Sequence, residues 1–429
     1  MPETEQGLDL SLLTDQVVAW AETKRWWPGE PGESAGIHVL EWLPHSGKQQ
    51  PALLVLRLEL SDLLVQVPIL VCAERDCSDT STVIATQGST LVLDGVSEPA
   101  FWGAWTAAAD LPPGSDLDSE SLLQATRSVQ ALSVEQSNSS VLLTGLERPM
   151  IAKVYRVLHQ GQHPEAEIPA ALAGWAHLPT LQAVFETLVA PGHHACGAVL
   201  TDLVPGARDG FELFRRMVGA GEDGTELAVS AGEAIGEMHN LLEQKLGIES
   251  APDAAALAAR IEGLLEPVKH ELDEREVREV REFAAGAAKT LGNGEGVATR
   301  VHGDLHLGQM LLDETGTWQV VDFEGEPLRP LEERRAKDSP ARDVAGMLRS
   351  FDYAGQADQV DDGSWSSSAQ NAFLDGYTSV RKLSAADVLW LRAYQLEKAL
   401  YELQYEAKFR PAWKRIPLEA IRALTTADS

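Results

Sequence analysis

Basic residues are scarce in this chain. Its 429 residues carry 35 Lys and Arg against 65 Asp and Glu, a formal net charge of −30 at pH 7. Binding nucleic acid without sequence preference needs basic patches, and the deficit runs along the whole chain, so nucleic acid is excluded as a partner. Solubility alone accounts for such an excess of acid. The same excess also makes a field that favours metal ions or a protonated amino sugar, although salt screens it over about 10 Å. Long apolar runs are missing too. No stretch of about 18 apolar residues occurs, so no membrane span is expected. Residues Met1 to Gly7 lack the basic start and apolar core of a signal peptide, and the expected location is the cytoplasm. Cysteine is limited to Cys72, Cys77 and Cys196. The number is odd and no pair has zinc-finger spacing, so these read as core or incidental thiols. No Gly-x-x-x-x-Gly-Lys-Ser/Thr segment occurs either, which excludes a P-loop enzyme.

What is present is a hydrophobic content of 44%, enough for real cores in two or three compact units. Residues 1–95 open with a helical pattern, Leu8 to Trp26, stopped by Pro28-Gly29. Apolar runs at Leu53–Leu56, Leu63–Val67 and Thr90–Leu93 follow, separated by turn residues, and predict a small antiparallel sheet. Leu111 to Asp116, rich in Pro and Gly, reads as a loop or linker. Residues 134–204 are β-rich again. Ser139–Leu143 and Met150–Leu158 pair across Thr144-Gly145, and Leu181–Val189 and Ala198–Val204 supply two more strands after a short helix. From about residue 211 the pattern is helical, with Glu226–Leu246, Ala254–Leu291 and Ala385–Lys408 the clearest stretches. Val301 and Trp318–Phe323 are short strands within that half. The division expected is 1–95, 96–204 and 205–429, an α+β chain of two lobes with a ligand cleft between them.

The densest chemistry lies in His302-Gly303-Asp304-Leu305-His306-Leu307-Gly308-Gln309 and in Val320-Val321-Asp322-Phe323-Glu324. Phosphoryl transfer needs a carboxylate to take or orient the acceptor's proton, and oxygen ligands for the magnesium on the phosphates. Asp304, in a loop after a short strand, suits the base. Gln309, five residues on, offers an amide oxygen. Asp322, at the end of an apolar strand, offers a second metal ligand. The order follows protein-kinase logic: a catalytic Asp, an amide side chain, then an Asp-Phe pair. A nucleotide also needs a strand lysine oriented by an acid. Lys153, in Ile151-Ala152-Lys153-Val154, is the candidate, with Glu167 on the following helix as its partner. The small polar residues Ser137 and Ser139 could cover the phosphates in place of a glycine-rich loop.

These segments resemble the aminoglycoside-phosphotransferase-like kinases, and within them the actinobacterial maltokinases and a related group that phosphorylates glucosamine. The likeness is densest at Val301–Tyr353, with Asp-Phe-Glu-Gly-Glu-Pro and Asp-Ser-Pro-Ala-Arg-Asp-Val-Ala-Gly-Met-Leu-Arg-Ser-Phe-Asp-Tyr. It extends to Glu135–Ser140, Val204–Gly210 and Tyr401–Ile416, covering roughly residues 134–424. The resemblance implies a protein-kinase-like fold with an N-terminal cap, a β-rich N-lobe and a helical C-lobe. It implies an ATP pocket between the lobes and a sugar pocket on the C-lobe. By motif, Asp304 carries over as base, Gln309 and Asp322 as magnesium ligands, Lys153 as the ATP-phosphate contact, and Glu324 at the metal or sugar end. The chain departs from maltokinases at Lys24-Arg25-Trp26-Trp27-Pro28-Gly29-Glu30 and at Gln395-Leu396-Glu397-Lys398. Those departures bring it closer to the glucosamine group.

The late helix reads physically as well. Tyr394, Tyr401 and Tyr405 share one face, with Glu397 four residues before Tyr401 and with Glu402 and Glu406 flanking. Aromatics stack on sugar rings and carboxylates take hydroxyls or an ammonium; a packed amphipathic helix with solvated acids would look the same. His306, Glu397, Tyr401 and Glu402 form the candidate substrate set, whereas His239 reads as a core or capping histidine. The expected reaction is ATP-dependent phosphorylation of glucosamine to glucosamine 6-phosphate. Maltose to maltose 1-phosphate is the alternative, followed by an aminoglycoside acceptor and by a pseudokinase that binds without turnover. The intact set Lys153, Asp304, Gln309 and Asp322 counts against the last.

Overall fold

The computed structural model describes residues 8–77, 80–132, 137–292, 294–326, 329–356 and 363–426. The amino-terminal segment Met1 to Gly7, Glu135, Gln136 and Pro327 therefore lie outside the described residues. The chain forms two compact units, one of Met1–Gly174 with Pro179–Leu203 and one of Trp175–Leu178 with Val204–Ser429. Antiparallel sheets fill the first and helices dominate the second, in keeping with the α+β expectation.

Helix α1 (Leu10–Ala21) opens the first unit, with the Asp9 carboxylate accepting from the backbone N–H of Ser11 and Leu12. It stops short of Trp26 because the Thr23 and Lys24 amides turn back to Trp20 and Ala21. Five strands follow: β1 (Ala35–Trp42), β2 (Gln50–Leu58), β3 (Leu64–Ala73), β4 (Val83–Gln87) and β5 (Thr90–Asp94). They pair in the order β1-β2-β3-β5-β4. The sequence signalled β2, β3 and β5 through apolar runs. It hid β1 and β4, the end strands, where one-sided burial leaves no such run.

Strand β3 is buried almost throughout although it contains Pro68. Its free side is shared: β10 (Val157–Leu158) pairs with Leu64 and Val65, and β5 pairs from Ile69 onward. Pro68 falls in the gap between those partners, where no ladder donor is required. Cys72, near the end of β3, and Cys77 beyond it form a disulfide with Cα atoms 6.2 Å apart. This corrects the reading of them as thiols: a short 3-10 turn, Glu74–Asp76, folds the chain back within disulfide reach. Cys196 is buried, with its Sγ 3.7 Å from Ala198 O.

The second sheet takes β6 (Ala109–Asp110), β7 (Val129–Ala131), β8 (Ser139–Leu143), β9 (Met150–Val154), β11 (Leu181–Ala190) and β12 (His193–Asp202), in the order β6-β11-β12-β9-β8-β7. Helices α2 (Pro99–Trp105) and α3 (Ser119–Ala125) accompany it, and α4 (Pro164–Ala171) lies between β10 and β11. Phe101, Trp102 and Trp105 of α2 cluster with Phe185, with ring centroids 5.0–6.1 Å apart. The fully buried Gln66 ties β3 to this sheet by donating to the carbonyls of Tyr155 and Gly197. Gly197 has no space for a side chain, since a Cβ would lie 2.2 Å from Thr187 Oγ1.

The second unit carries helices α5 (Gly210–Ala220), α6 (Thr225–Leu246), α7 (Ala254–Val268), α8 (Glu274–Leu291), α9 (Leu331–Arg335), α10 (Ala341–Gln356), α11 (Ser364–Val380), α12 (Ala385–Phe409) and α13 (Arg415–Thr426). The helix expected over 254–291 is two, because Asp273 and Glu276 form a capping box that starts α8 afresh. Two short ladders accompany them. Glu249–Ser250 (β14) pairs with Val297–Ala298 (β15). Arg208–Asp209 (β13), Met310–Leu312 (β16) and Trp318–Val320 (β17) form a three-stranded sheet. The His177 backbone carbonyl accepts from the Val320 amide and its Nδ1 meets Trp318 O at 2.8 Å, which extends the edge of β17.

Helices α6 and α11 meet through reciprocal glycines. A Cβ on Gly232 would lie 2.0 Å from Phe373 O, and one on Gly376 would lie 2.0 Å from Val229 O. Gly232→Ala or Gly376→Ala should therefore lower stability by about 1–3 kcal/mol through overpacking, against a helix-propensity gain of about 1 kcal/mol. The urea midpoint reads this; an unchanged or raised midpoint would show that the helices do not touch there.

Candidate active site

Residues 299–309 form a loop whose course is set by α10. The Asp343 carboxylate, buried in the first turn of α10, accepts from the backbone N–H of His302 at 2.7 Å and of Gly303 at 2.9 Å. It also meets His239 Nε2 at 3.1 Å, and His239 Nδ1 lies 2.9 Å from Tyr377 Oη. Tyr377 thus donates to Nδ1 and leaves Nε2–H to donate to Asp343, which fixes the neutral tautomer. Burial pushes the His239 pKa below its ordinary value. Burial pushes the Asp343 carboxyl up, but the donors from His239 and the loop outweigh it and hold the group below the usual carboxylate range. Two further contacts seat the loop. Ser350 Oγ accepts from Leu307 N at 3.0 Å. At Gly346 a Cβ would lie 2.2 Å from Leu305 O, so loop and helix touch backbone to backbone. Gly303 itself has φ +85°, a conformation glycine adopts without strain.

His302 joins the two motifs. Its Nε2 lies 2.9 Å from Val321 O and its ring packs on Phe323 at 4.9 Å. The Val321 amide donates to Gln309 O at 3.0 Å. Asp322 follows with φ +67°, in the left-handed region that costs a non-glycine residue energy and is held only where the surroundings enforce it. Gln309 Nε2 donates to Asp322 Oδ2 at 2.8 Å, so the amide and the carboxylate are already side by side. Glu324 sits against Arg334 at 3.9 Å, and Arg334 also donates to the Glu324 carbonyl.

In the first unit, Lys153 of β9 lies opposite Ser140 of β8 and Val199 of β12. Its Nζ is 3.8 Å from Glu165 Oε2 in the first turn of α4. Glu165 and the expected Glu167 both stand in that first turn. Ser137 is exposed, and the Ser139 hydroxyl takes Arg156 Nε at 2.9 Å, so it serves a buried arginine.

Within the second unit a cavity of about 630 Å³ opens beside Asp304. Its carboxylates are Asp304, Glu326, Glu333, Asp343 and Glu397, and its cations are Arg260, Arg329, Arg342 and Lys398. Lys398 Nζ reaches 3.5 Å from Asp304 Oδ1, with each side chain about a quarter exposed. Glu397 meets Arg260 Nε at 2.6 Å and Arg329 at 3.9 Å. Arg342 bridges Glu326 and Asp338, each at 3.2 Å. Burial raises the Glu326 carboxyl, but Arg342 and Arg329 more than offset it and keep the group below its ordinary value.

Of the expected substrate residues, Glu397 and Tyr401 line this cavity. Glu402 does not; it is half-buried against Arg349, at 2.7 Å, on another side of α12. Glu406 accepts from Tyr353 and Arg410. His306 is also outside the lining: its Nδ1 accepts from Gly308 N and caps the turn Leu307–Gln309. Tyr394 lines the cavity, but its hydroxyl is bonded to Asp338. Sequence reasoning missed Lys398, Arg260, Arg329 and Arg342 at the cavity. Lys398 follows Glu397 on the face already singled out, and helical spacing could have found it.

Asp343→Asn would turn an amide N–H₂ toward backbone donors, at about 1–3 kcal/mol for each buried donor left unpaired. The folded carboxyl is depressed, so its contribution is complete above the unfolded value of about 3.9 and is lost as pH falls through the lower folded value. The variant should show a lower urea midpoint at neutral pH and a shallower loss of stability below about pH 4. An unchanged midpoint with the same acid limb would remove Asp343 from this role.

The pattern of the phosphotransferase enzyme family matches residues 128–382. A glucosamine kinase of Streptacidiphilus jiangxiensis is 27% identical over 312 residues, 66% of this chain and 70% of the relative. A glucosamine kinase of Mycolicibacterium smegmatis is 27% identical over 342 residues, 70% of this chain and 80% of the relative. A solved glucosamine kinase in complex with glucosamine, ADP and inorganic phosphate superposes with a TM-score of 0.68 at 22% identity. That match covers 96% of this chain and 98% of the other, and shows a shared fold. With the family pattern spanning more than half of its length, the chain belongs to the phosphotransferase enzyme family.

Proposed function

We propose that the cavity in the second unit takes glucosamine and that the enzyme converts it to glucosamine 6-phosphate with ATP. One observation carries the reading: Asp304 shares the cavity wall with Glu326, Glu333 and Glu397, so a base stands beside carboxylates that an ammonium would meet. The names of the two curated relatives support the same substrate. In the proposed reaction the sugar hydroxyl oxygen attacks the γ-phosphorus, the bond from that phosphorus to the bridging oxygen breaks, and ADP leaves. Asp304 receives the hydroxyl proton, and Lys398 holds the Asp304 carboxylate in place. Lys153, set by Glu165, is proposed to contact the ATP phosphates, with Glu167 and the exposed Ser137 nearby in sequence.

Gln309 and Asp322, in contact through the amide N–H₂, would each offer an oxygen to a hard divalent cation. Magnesium bound there, with Glu324 as a further candidate, would neutralise phosphate charge. ATP as donor puts the reaction in the cytoplasm, where the Cys72–Cys77 bond would be open to reduction.

Asp304→Asn should retain fold and nucleotide binding yet lose about 10²–10⁴-fold in turnover. A coupled assay of ADP release reads this, and excess chelator in the same assay should abolish the wild-type signal. Near-wild-type turnover of the variant would remove Asp304 as base.

A carboxylate paired with an ammonium in a partly desolvated pocket gains roughly 1.5–3 kcal/mol, about ten- to hundredfold. The kcat/KM for glucosamine should exceed that for glucose and N-acetylglucosamine by that factor. If N-acetylglucosamine matches glucosamine, cation recognition is not the basis of selectivity; if maltose is best, the enzyme is a maltokinase.

A further inference from the structure

The cavity is large for a single sugar. A hexosamine fills roughly 200 Å³ at the packing density of organic solids, against a cavity of about 630 Å³. Even with a phosphoryl group beside Asp304, more than half of that space is left for something else.

The wall formed by α12 shows where further groups would go. Tyr394, Glu397, Lys398 and Tyr401 line the cavity. At about 100° per residue they form one stripe, and the next residues on it are Tyr405 and Phe409. Tyr401 is 49% exposed, Tyr405 44% and Phe409 58%. Among the described residues no other Phe, Tyr or Trp is classed as exposed. The exposed aromatic surface of the chain is therefore one track, beginning at the cavity rim and running outward along α12. Four residues of helix advance about 6 Å, close to the length of one sugar unit in a chain.

The track is also held in place. The rings of Tyr405 and Phe409 are 4.9 Å apart, and the Arg410 guanidinium lies 5.3 Å from the Tyr405 ring and 4.9 Å from that of Trp413. Gln404 Nε2 donates to Leu264 O at 2.7 Å, fastening α12 to the α7 segment that supplies Gly263 and Leu264 to the cavity. Fixed, exposed aromatics spaced along a line from a sugar cavity suit stacking on the apolar faces of successive pyranose rings.

We infer that the acceptor is the terminal glucosamine of a longer amino-sugar chain or glycoside, whose following rings lie over Tyr401, Tyr405 and Phe409. This rests on the amino-sugar reading above. The test is kcat/KM for glucosamine and for its β-1,4-linked dimer and trimer, with wild type and Tyr405→Ala. The dimer or trimer should exceed glucosamine by about three- to tenfold in the wild type. Tyr405→Ala should erase that advantage and leave kcat/KM for glucosamine unchanged. If glucosamine is phosphorylated but the longer sugars are no better, this inference fails and the amino-sugar reading stands. If no amino sugar is phosphorylated, the reading itself fails. If Tyr405→Ala changes the oligomeric state and not the sugar series, the track is a contact between copies of the chain and the inference is overturned.

Discussion

The architecture around Asp304 depends on one buried carboxylate. Asp343 gathers the backbone amides of His302 and Gly303 and the imidazole of His239. Each donor would otherwise be buried without a partner, and the carboxylate would otherwise be an uncompensated buried charge. The costs cancel only in one arrangement, with the loop lying across the start of α10. Position thus follows from hydrogen-bond satisfaction rather than from apolar packing, and it is stiff because all the partners are backbone or fully enclosed. The second motif is referred to the same point through His302, which reaches Val321 with its imidazole.

The parts of the site written in contiguous sequence were legible in advance. His302 to Gln309 and Val320 to Glu324 fold locally, and the structure brings Gln309 and Asp322 into contact. Residues whose role depends on rotation about a helix axis were less so. Glu397 and Glu402 are five residues apart, about 140° around α12, and only Glu397 reaches the cavity. The helical pattern showed that a face existed but not which of its flanks met solvent, cavity or core. His239 was recognised as a core histidine, but its partnership with Asp343 spans 104 residues and no local pattern carries it. The fold was readable wherever burial left apolar runs. It was obscure at the end strands β1 and β4, and at Cys72 and Cys77, whose pairing depends on a three-residue turn.

The charge of the chain enters the site less than its total suggests. Five carboxylates and four cations line the cavity, so the field there comes from neighbouring pairs rather than from the net −30. Glu397 is held by two arginines and Glu326 by Arg342 and Arg329. An incoming ammonium would join an existing lattice of opposite charges. Such a lattice discriminates by geometry, since each carboxylate has only part of its coordination left.

The contact between Gly346 and Leu305 has a consequence for how this protein can change over time. One side of the Asp304 loop rests on helix backbone with no room for even a methyl group. Elsewhere the cavity lining includes long side chains of α7 and α12, Arg260, Glu397 and Tyr401 among them, where a substitution meets no such main-chain contact. Substitution is thereby easier along the α7 and α12 lining than where Leu305 meets Gly346, which sterics keep bare.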